Sequence, residues 1–154
     1  MNNIECSTLT SSLELKDFGR IEFQEVKKIV ENFPWDEEIE KIKDEEIAFA
    51  ALVELYTKDF KGTSLNIMSF EKGSYIVDIQ VKKSNYYLFI LPKVTEVSME
   101  NLSISQVLEY TKNFYSMEFE ELFEWVKEEK RNQNLKVNAI WPTSWTNHLV
   151  WTFS

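Results

Sequence analysis

The spacing of apolar residues changes period along this chain, and that change limits the folds that the chain can adopt. From Ile21 to Phe33 the apolar residues recur at about helical spacing, and Pro34 ends the run. Three later runs are rich in β-branched and aromatic residues and have period two, at 65–70, 74–81 and 86–91. Helices followed by an antiparallel meander predict an α+β fold rather than a parallel, doubly wound sheet.

The N-terminal half is predicted to be helical after a loosely held start. Residues 1–15 are expected to be partly flexible, because chain ends are often weakly held. A second short helix follows Pro34, and Asp36 can cap it. The run 47–56 is apolar nearly all round, which predicts a helix buried on several sides, although a buried strand gives a similar pattern.

The C-terminal half is predicted to contain two helices and a hairpin. Ser103 and Gln106 have the spacing of a capping box, and a second amphipathic helix extends from about Met117 to Arg131. Two alternating runs, 135–141 and 148–153, flank a loop and predict a terminal hairpin. No linker interrupts the chain, so residues 1–154 are predicted to form a single domain.

The charge of the chain limits the partners that it can attract. The net charge is −9, from 26 acidic and 17 basic residues, and it opposes binding to nucleic acid or to anionic membranes. The same charge favours a basic protein partner, although an acidic surface also serves solubility alone. Cys6 is the only cysteine and the N-terminus carries no export signal, so we expect a cytoplasmic protein.

No residue pattern in the chain matches a known catalytic, cofactor or metal motif. His148 is the only histidine, and the glycines stand alone, so neither a catalytic triad nor a phosphate-binding loop is indicated. The acidic clusters lack the spacing of a calcium loop and are typical of solvated helix faces. The sequence therefore predicts a protein without enzymatic activity, cofactor or metal.

The candidate partner-binding residues are acidic or aromatic and lie mainly near two clusters, at 36–46 and 118–129. A tryptophan at a corner or in a loop either packs back as a plug or is displayed as an interface anchor, and both placements are open for the two that we single out. The candidates are Trp35, Asp36, Glu37, Glu38, Asp44, Glu45, Glu46, Glu120, Glu124 and Trp145.

A small, acidic, aromatic-rich chain of this kind is similar in overall type to immunity proteins that neutralise bacterial nuclease toxins, although no motif matches residue by residue. The resemblance implies an acidic inhibitor, monomeric or homodimeric, that occludes the cationic cleft of a basic toxin. One alternative is a small ligand-binding or enzymatic domain whose aromatic pocket is lined by Tyr75, Tyr86, Tyr87, Tyr110 and Trp125. Another is a homo-oligomeric scaffold that pairs through its terminal hairpin.

Overall fold

The fold is one antiparallel sheet with a layer of helices against one side. The computed structural model describes residues 3–44, 50–58, 62–83 and 93–140. In these ranges the strands are β1 (Ile4–Leu9), β2 (Leu15–Arg20), β3 (Leu52–Thr57), β4 (Ser64–Glu71), β5 (Ser74–Lys83) and β6 (Lys93–Leu102). The helices are α1 (Phe23–Asn32), α2 (Trp35–Asp44), α3 (Ile104–Ser116) and α4 (Phe119–Ile140). The strand order is β2-β1-β3-β4-β5-β6, which confirms the predicted α+β class.

The core lies between the helices and one face of the sheet. Alternate residues of each strand point toward the helices, as Val77, Ile79 and Val81 of β5 do, and these three are buried as their spacing predicts. The helices meet them with fully buried side chains such as Phe114 of α3 and Leu122 of α4. No helix in the described ranges is both long and apolar enough to cross a membrane.

The start of α3 is closed by the capping box that the sequence predicts. The Ser103 hydroxyl accepts a hydrogen bond from the Gln106 main-chain N–H, and the Gln106 side chain accepts one from the Ser103 main-chain N–H at 2.9 Å. Both interactions satisfy donors that have no partner within the helix. The helix therefore begins at Ile104 and directs Val107, Thr111 and Phe114 into the core.

We expect the Ser103→Ala variant to lower the free energy of unfolding by about 1 kcal/mol, because it leaves the first turn of α3 without its side-chain acceptor. Urea denaturation measures this change. The Ser103→Asp variant keeps an acceptor at the cap and should stay close to wild type. Equal losses in both variants would show that the side-chain acceptor at position 103 does not stabilise α3.

The prediction of a helix over 47–56 is wrong for its second half, because Leu52–Thr57 is strand β3. Its residues alternate strictly, with Val53 and Leu55 buried against the helices and Leu52 and Tyr56 half-buried on the opposite face. Glu54 is the one charged residue in the run, so its hydrophobicity alone does not separate a strand from a buried helix.

Three further strands, β1, β2 and β6, were not predicted from the sequence. The expectation that residues 1–15 are partly flexible does not extend to Ile4–Leu9, which form a strand between β2 and β3 with Cys6 fully buried. Strand β6 alternates in the usual way, with Thr95, Val97 and Met99 buried. The predicted run 86–91 lies outside the described residues, so the third strand of the meander that the structure describes is β6.

The predicted strand over 135–141 is wrong for residues 135–140, because α4 continues to Ile140. Residues 132–140 contain neither glycine nor proline, so nothing in this stretch ends the helix. Here α4 crosses the edge of β6, and the Gln133 side-chain amide donates a hydrogen bond of 2.6 Å to the main-chain carbonyl of Ser98. The second strand of the predicted hairpin, 148–153, lies outside the described residues.

Candidate functional site

Trp35 lies in the core rather than on the surface. Its side chain is 6% exposed, and its indole N–H donates a hydrogen bond of 2.9 Å to the main-chain carbonyl of Val30. The ring also packs edge-on against Tyr75, with 5.6 Å between the ring centroids. Of the two placements considered for Trp35, the structure shows the packed one. Trp145 lies outside the described residues.

The acidic residues near the start of α2 divide into two kinds. Asp36 and Glu37 are exposed, as a partner-binding role requires. Glu38 is buried, and its carboxylate accepts hydrogen bonds from the main-chain N–H of Ser11 at 2.7 Å and from the Ser11 hydroxyl at 2.6 Å. It also pairs with Lys41 at 2.6 Å, so Glu38 anchors the β1–β2 connection to α2. The Asp44 side chain, Glu45 and Glu46 lie outside the described part.

The two candidate acidic residues of α4, Glu120 and Glu124, are exposed and are paired within the chain. Glu120 accepts a hydrogen bond from Lys83 of β5, and Glu124 accepts one from Lys127. Helix α4 packs on β5 and β6, whereas α2 packs on β4. The two acidic clusters that the sequence singles out therefore sit on different elements of the helical layer.

Of the aromatic residues proposed to line a pocket, the structure describes Tyr75, Tyr110 and Trp125, and Tyr75 borders an open cavity of about 290 Å³ together with Trp35. Tyr110 and Trp125 are in ring contact at 5.7 Å, and Tyr75 packs on Trp35, so these rings belong to the core and its border. Tyr86 and Tyr87 lie outside the described residues. Burial raises the pKa of the Cys6 thiol to about 12, which leaves it protonated and unreactive at neutral pH.

A different surface stands out once the register is known, namely the sheet face that points away from the helices. We call it the open face. Directly paired residues form straight rows across the strands, because neighbours in register share a face. The acidic row is Asp17, Ser7, Glu54, Asn66, Asp78 and Ser98. The apolar row beside it is Leu15, Leu9, Leu52, Met68 and Ile76.

The third row lies on the other side of the acidic row. It contains Glu5, whose carboxylate forms an ion pair with Lys58. Its members, again in register, are Glu5, Tyr56, Ser64, Gln80 and Glu96. Lys58 pairs with Glu5 at 2.5 Å, and this hydrogen bond lowers the pKa of Glu5. The hydrogen bond to Glu5, followed by burial, raises the pKa of Tyr56 to about 12. Both groups therefore keep fixed protonation states at neutral pH.

Large apolar side chains in and beside the apolar row are exposed to solvent. Leu15 is 69% exposed, and Phe70, the next open-face residue after Met68 on β4, is 49% exposed. Leu9, Leu52, Met68 and Ile76 are half-buried. Contiguous apolar surface next to polar residues is typical of interaction sites. The open face thus combines an apolar strip with a strip of carboxylates.

Two open cavities lie along the acidic row. The first, of about 620 Å³, is bordered by Ser7, Asp17, Glu54, Tyr56 and Lys58. The second, of about 550 Å³, is bordered by Asn66, Asp78, Glu96, Ser98 and, from α4, Lys130 and Gln133. Gln80 lines both. In the described part of the chain, no group of three or more His, Cys, Asp or Glu side chains is arranged to hold a metal ion.

The sequence signal for the open face was only partly readable. On β5, the alternation of Asp78, Gln80 and Lys82 with buried neighbours predicts a solvent-facing side, and the structure places Asp78 and Gln80 on the open face. Glu54 lies in a run predicted to be helical, and Asp17 and Glu96 lie in strands that were not predicted. The rows therefore could not be assembled without the strand register.

The described residues form an α+β domain whose helices pack on one face of the sheet, and α4 reaches the border of the open face at Lys130 and Gln133. No protein-family model matches the sequence. The comparisons with curated proteins and with solved structures also give no significant match. The function of this domain is therefore inferred from its own geometry and chemistry.

Proposed function

We propose that this chain is a non-enzymatic protein-binding domain that inhibits a basic protein partner, as immunity proteins do, and that the partner binds to the open face. The observation that carries the proposal is the acidic row with the apolar row beside it. Protein interfaces combine an apolar centre with surrounding polar groups, and the two rows supply both.

The charge of the open face indicates the sign of the charge on its partner. Within the three rows the carboxylates are Glu5, Asp17, Glu54, Asp78 and Glu96. These five carboxylates outnumber the nearby cations Arg20, Lys58, Lys82 and Lys130, so the face is negative, like the chain as a whole. A negative surface accelerates encounter with a basic protein and disfavours acidic ones. A cationic cleft of an enzyme or toxin is the surface that such a face would cover.

Binding without catalysis agrees with the protonation states on the face. A general acid or base works best when its pKa is near the working pH. The pKa of Glu5 is lowered and that of Tyr56 is raised to about 12, so both shifts move away from neutrality. The buried, protonated Cys6 is compatible with the reducing cytoplasm, where we place this function.

The test compares two variants with equal charge change. The open-face variant carries Asp17→Asn, Glu54→Gln, Asp78→Asn and Glu96→Gln. The helix-face variant carries Asp36→Asn, Glu37→Gln, Glu120→Gln and Glu124→Gln, which are exposed acids of the sequence-predicted clusters. Each is used, beside the native chain, to capture partners from cells of the source organism at low and moderate salt. The captured protein is then purified, and its Kd is measured by calorimetry.

We expect the captured protein to be basic and its Kd to rise at least about a hundredfold for the open-face variant, because desolvated charge pairs are lost. The helix-face variant should change the Kd less than about threefold, since exposed charges contribute little. Equal effects of both variants, or an acidic partner, would contradict the proposal. A native chain that light scattering shows to dimerise through the apolar row would instead favour the scaffold alternative.

A further inference from the structure

Two half-buried carboxylates of the open face lack a cationic partner among the described residues. Glu5 has Lys58, but Glu54 receives only a hydrogen bond of 3.4 Å from the Ser7 hydroxyl. The Oδ1 atom of Asp78 is buried and has no hydrogen-bond partner there. Buried charges are normally paired, because removing them from water is costly. Glu54 and Asp78 therefore form no ion pair among the described residues, although Lys58 borders the cavity beside Glu54 and Lys130 borders the cavity beside Asp78.

Asn66 connects these two carboxylates. It pairs directly with Glu54 on one side and with Asp78 on the other, and its own Oδ1 atom is also buried without a partner. The neighbouring Asn66 and Asp78 thus each present one buried acceptor that has no donor among the described residues. Because one strand lies between β3 and β5, the two carboxylate-bearing positions are separated by two inter-strand spacings, about 10 Å. Glu54 borders the first cavity and Asp78 the second.

We propose that the open face holds two cationic side chains of one partner at once, one in the first cavity against Glu54 and one in the second against Asp78. This inference rests on the proposed function and specifies the chemistry of the partner. A guanidinium group fits the second cavity best, because its planar set of N–H donors can serve Asp78 and Asn66 together. The cavity volumes of about 620 and 550 Å³ leave room for an arginine head group in each.

The inference is tested with small molecules, so it does not need the natural partner. The probes are diguanidinoalkanes whose extended guanidinium-to-guanidinium distance runs from well below to well above about 10 Å. Butylguanidine is the monovalent reference. Binding to the full chain is followed by NMR, with the Asn66 side-chain amide as the reporter beside the second cavity. Glu54→Gln and Asp78→Asn are the test variants, and Glu37→Gln, an exposed residue of α2, is the control.

We expect the affinity to peak at the length that spans about 10 Å and to exceed that of butylguanidine at least about tenfold, because the second contact becomes intramolecular. Glu54→Gln and Asp78→Asn should each abolish this gain, whereas Glu37→Gln should keep it. Affinity that is independent of length, or no binding at any length, would overturn the inference. So would a shift of the Asn66 amide that is unchanged by Asp78→Asn, since it would place the ligand elsewhere.

The two proposals fail in different ways. If the open-face variant loses the basic protein but the diguanidines show no optimal length, the domain still binds through the open face and the two-cation arrangement is wrong. If the open-face and helix-face variants bind the protein equally, the proposed function is wrong whatever the diguanidines show. Thermal unfolding of each variant confirms that it is folded before binding is measured.

Discussion

Replacing Glu38 by alanine should lower the free energy of unfolding by about 2–4 kcal/mol, measured by urea denaturation. The side chain is 2% exposed and accepts both the main-chain N–H and the hydroxyl hydrogen bond of Ser11. Without it, two buried donors lose their acceptor, and each such loss is costly. Glu37→Ala, at the exposed neighbouring position, should stay within about 0.5 kcal/mol of wild type.

The same carboxylate should make stability depend on pH. Burial alone would raise the pKa of Glu38, but the hydrogen bonds from Lys41 and Ser11 outweigh burial and lower it below its ordinary value of 4.5. A lowered folded-state pKa means that the stabilisation is fully present above about pH 4.5 and is lost as the pH falls through the folded-state value. Native and Glu38→Ala chains should therefore converge in stability on acidification. A constant difference across this range would show that the ionised form contributes nothing.

Replacing Phe114 by alanine should lower the free energy of unfolding by about 3–5 kcal/mol. Phe114 is the largest fully buried side chain in the described core, and its removal leaves a cavity between α3 and the sheet. Phe70→Ala makes the same chemical change on the open face, where the ring is 49% exposed, and should cost well under about 1 kcal/mol. Denaturation of both variants gives the comparison. Similar losses would place the core of this domain elsewhere.

The elements that could be predicted are those with an unambiguous local pattern. The helix from Phe23 to Asn32 ends before Pro34, and α3 begins at a capping box, so each carries its own boundary signal. Strand β5 alternates with a polar face that was readable, and β4 was predicted from its β-rich composition. Strand β3 was not predicted because the open-face residues Leu52 and Tyr56 are large and hydrophobic, like the buried Val53 and Leu55, and leave Glu54 as the one charged residue of the run.

The candidate site was less predictable than the fold, for a reason of geometry. Acids close in sequence, such as Asp36, Glu37 and Glu38, form a visible cluster, yet one of them is a buried structural residue. The acidic row instead joins Asp17, Glu54 and Asp78, which are far apart in the chain and meet only through pairing across the sheet. Pairing register depends on long-range contacts, and composition or local spacing does not encode it.

The passage of α4 over the edge of β6 restricts how copies of this domain can join. With Gln133 bound to the Ser98 carbonyl, one border of the sheet is obstructed, and among the described strands β2 is the border without such a cover. Growth of a fibril by strand addition needs two available borders per molecule, so that each copy can accept one neighbour and offer itself to the next. Among the described strands, strand addition is therefore favoured at β2 over β6, and the charged residues Lys16, Asp17 and Arg20 on β2 oppose it there.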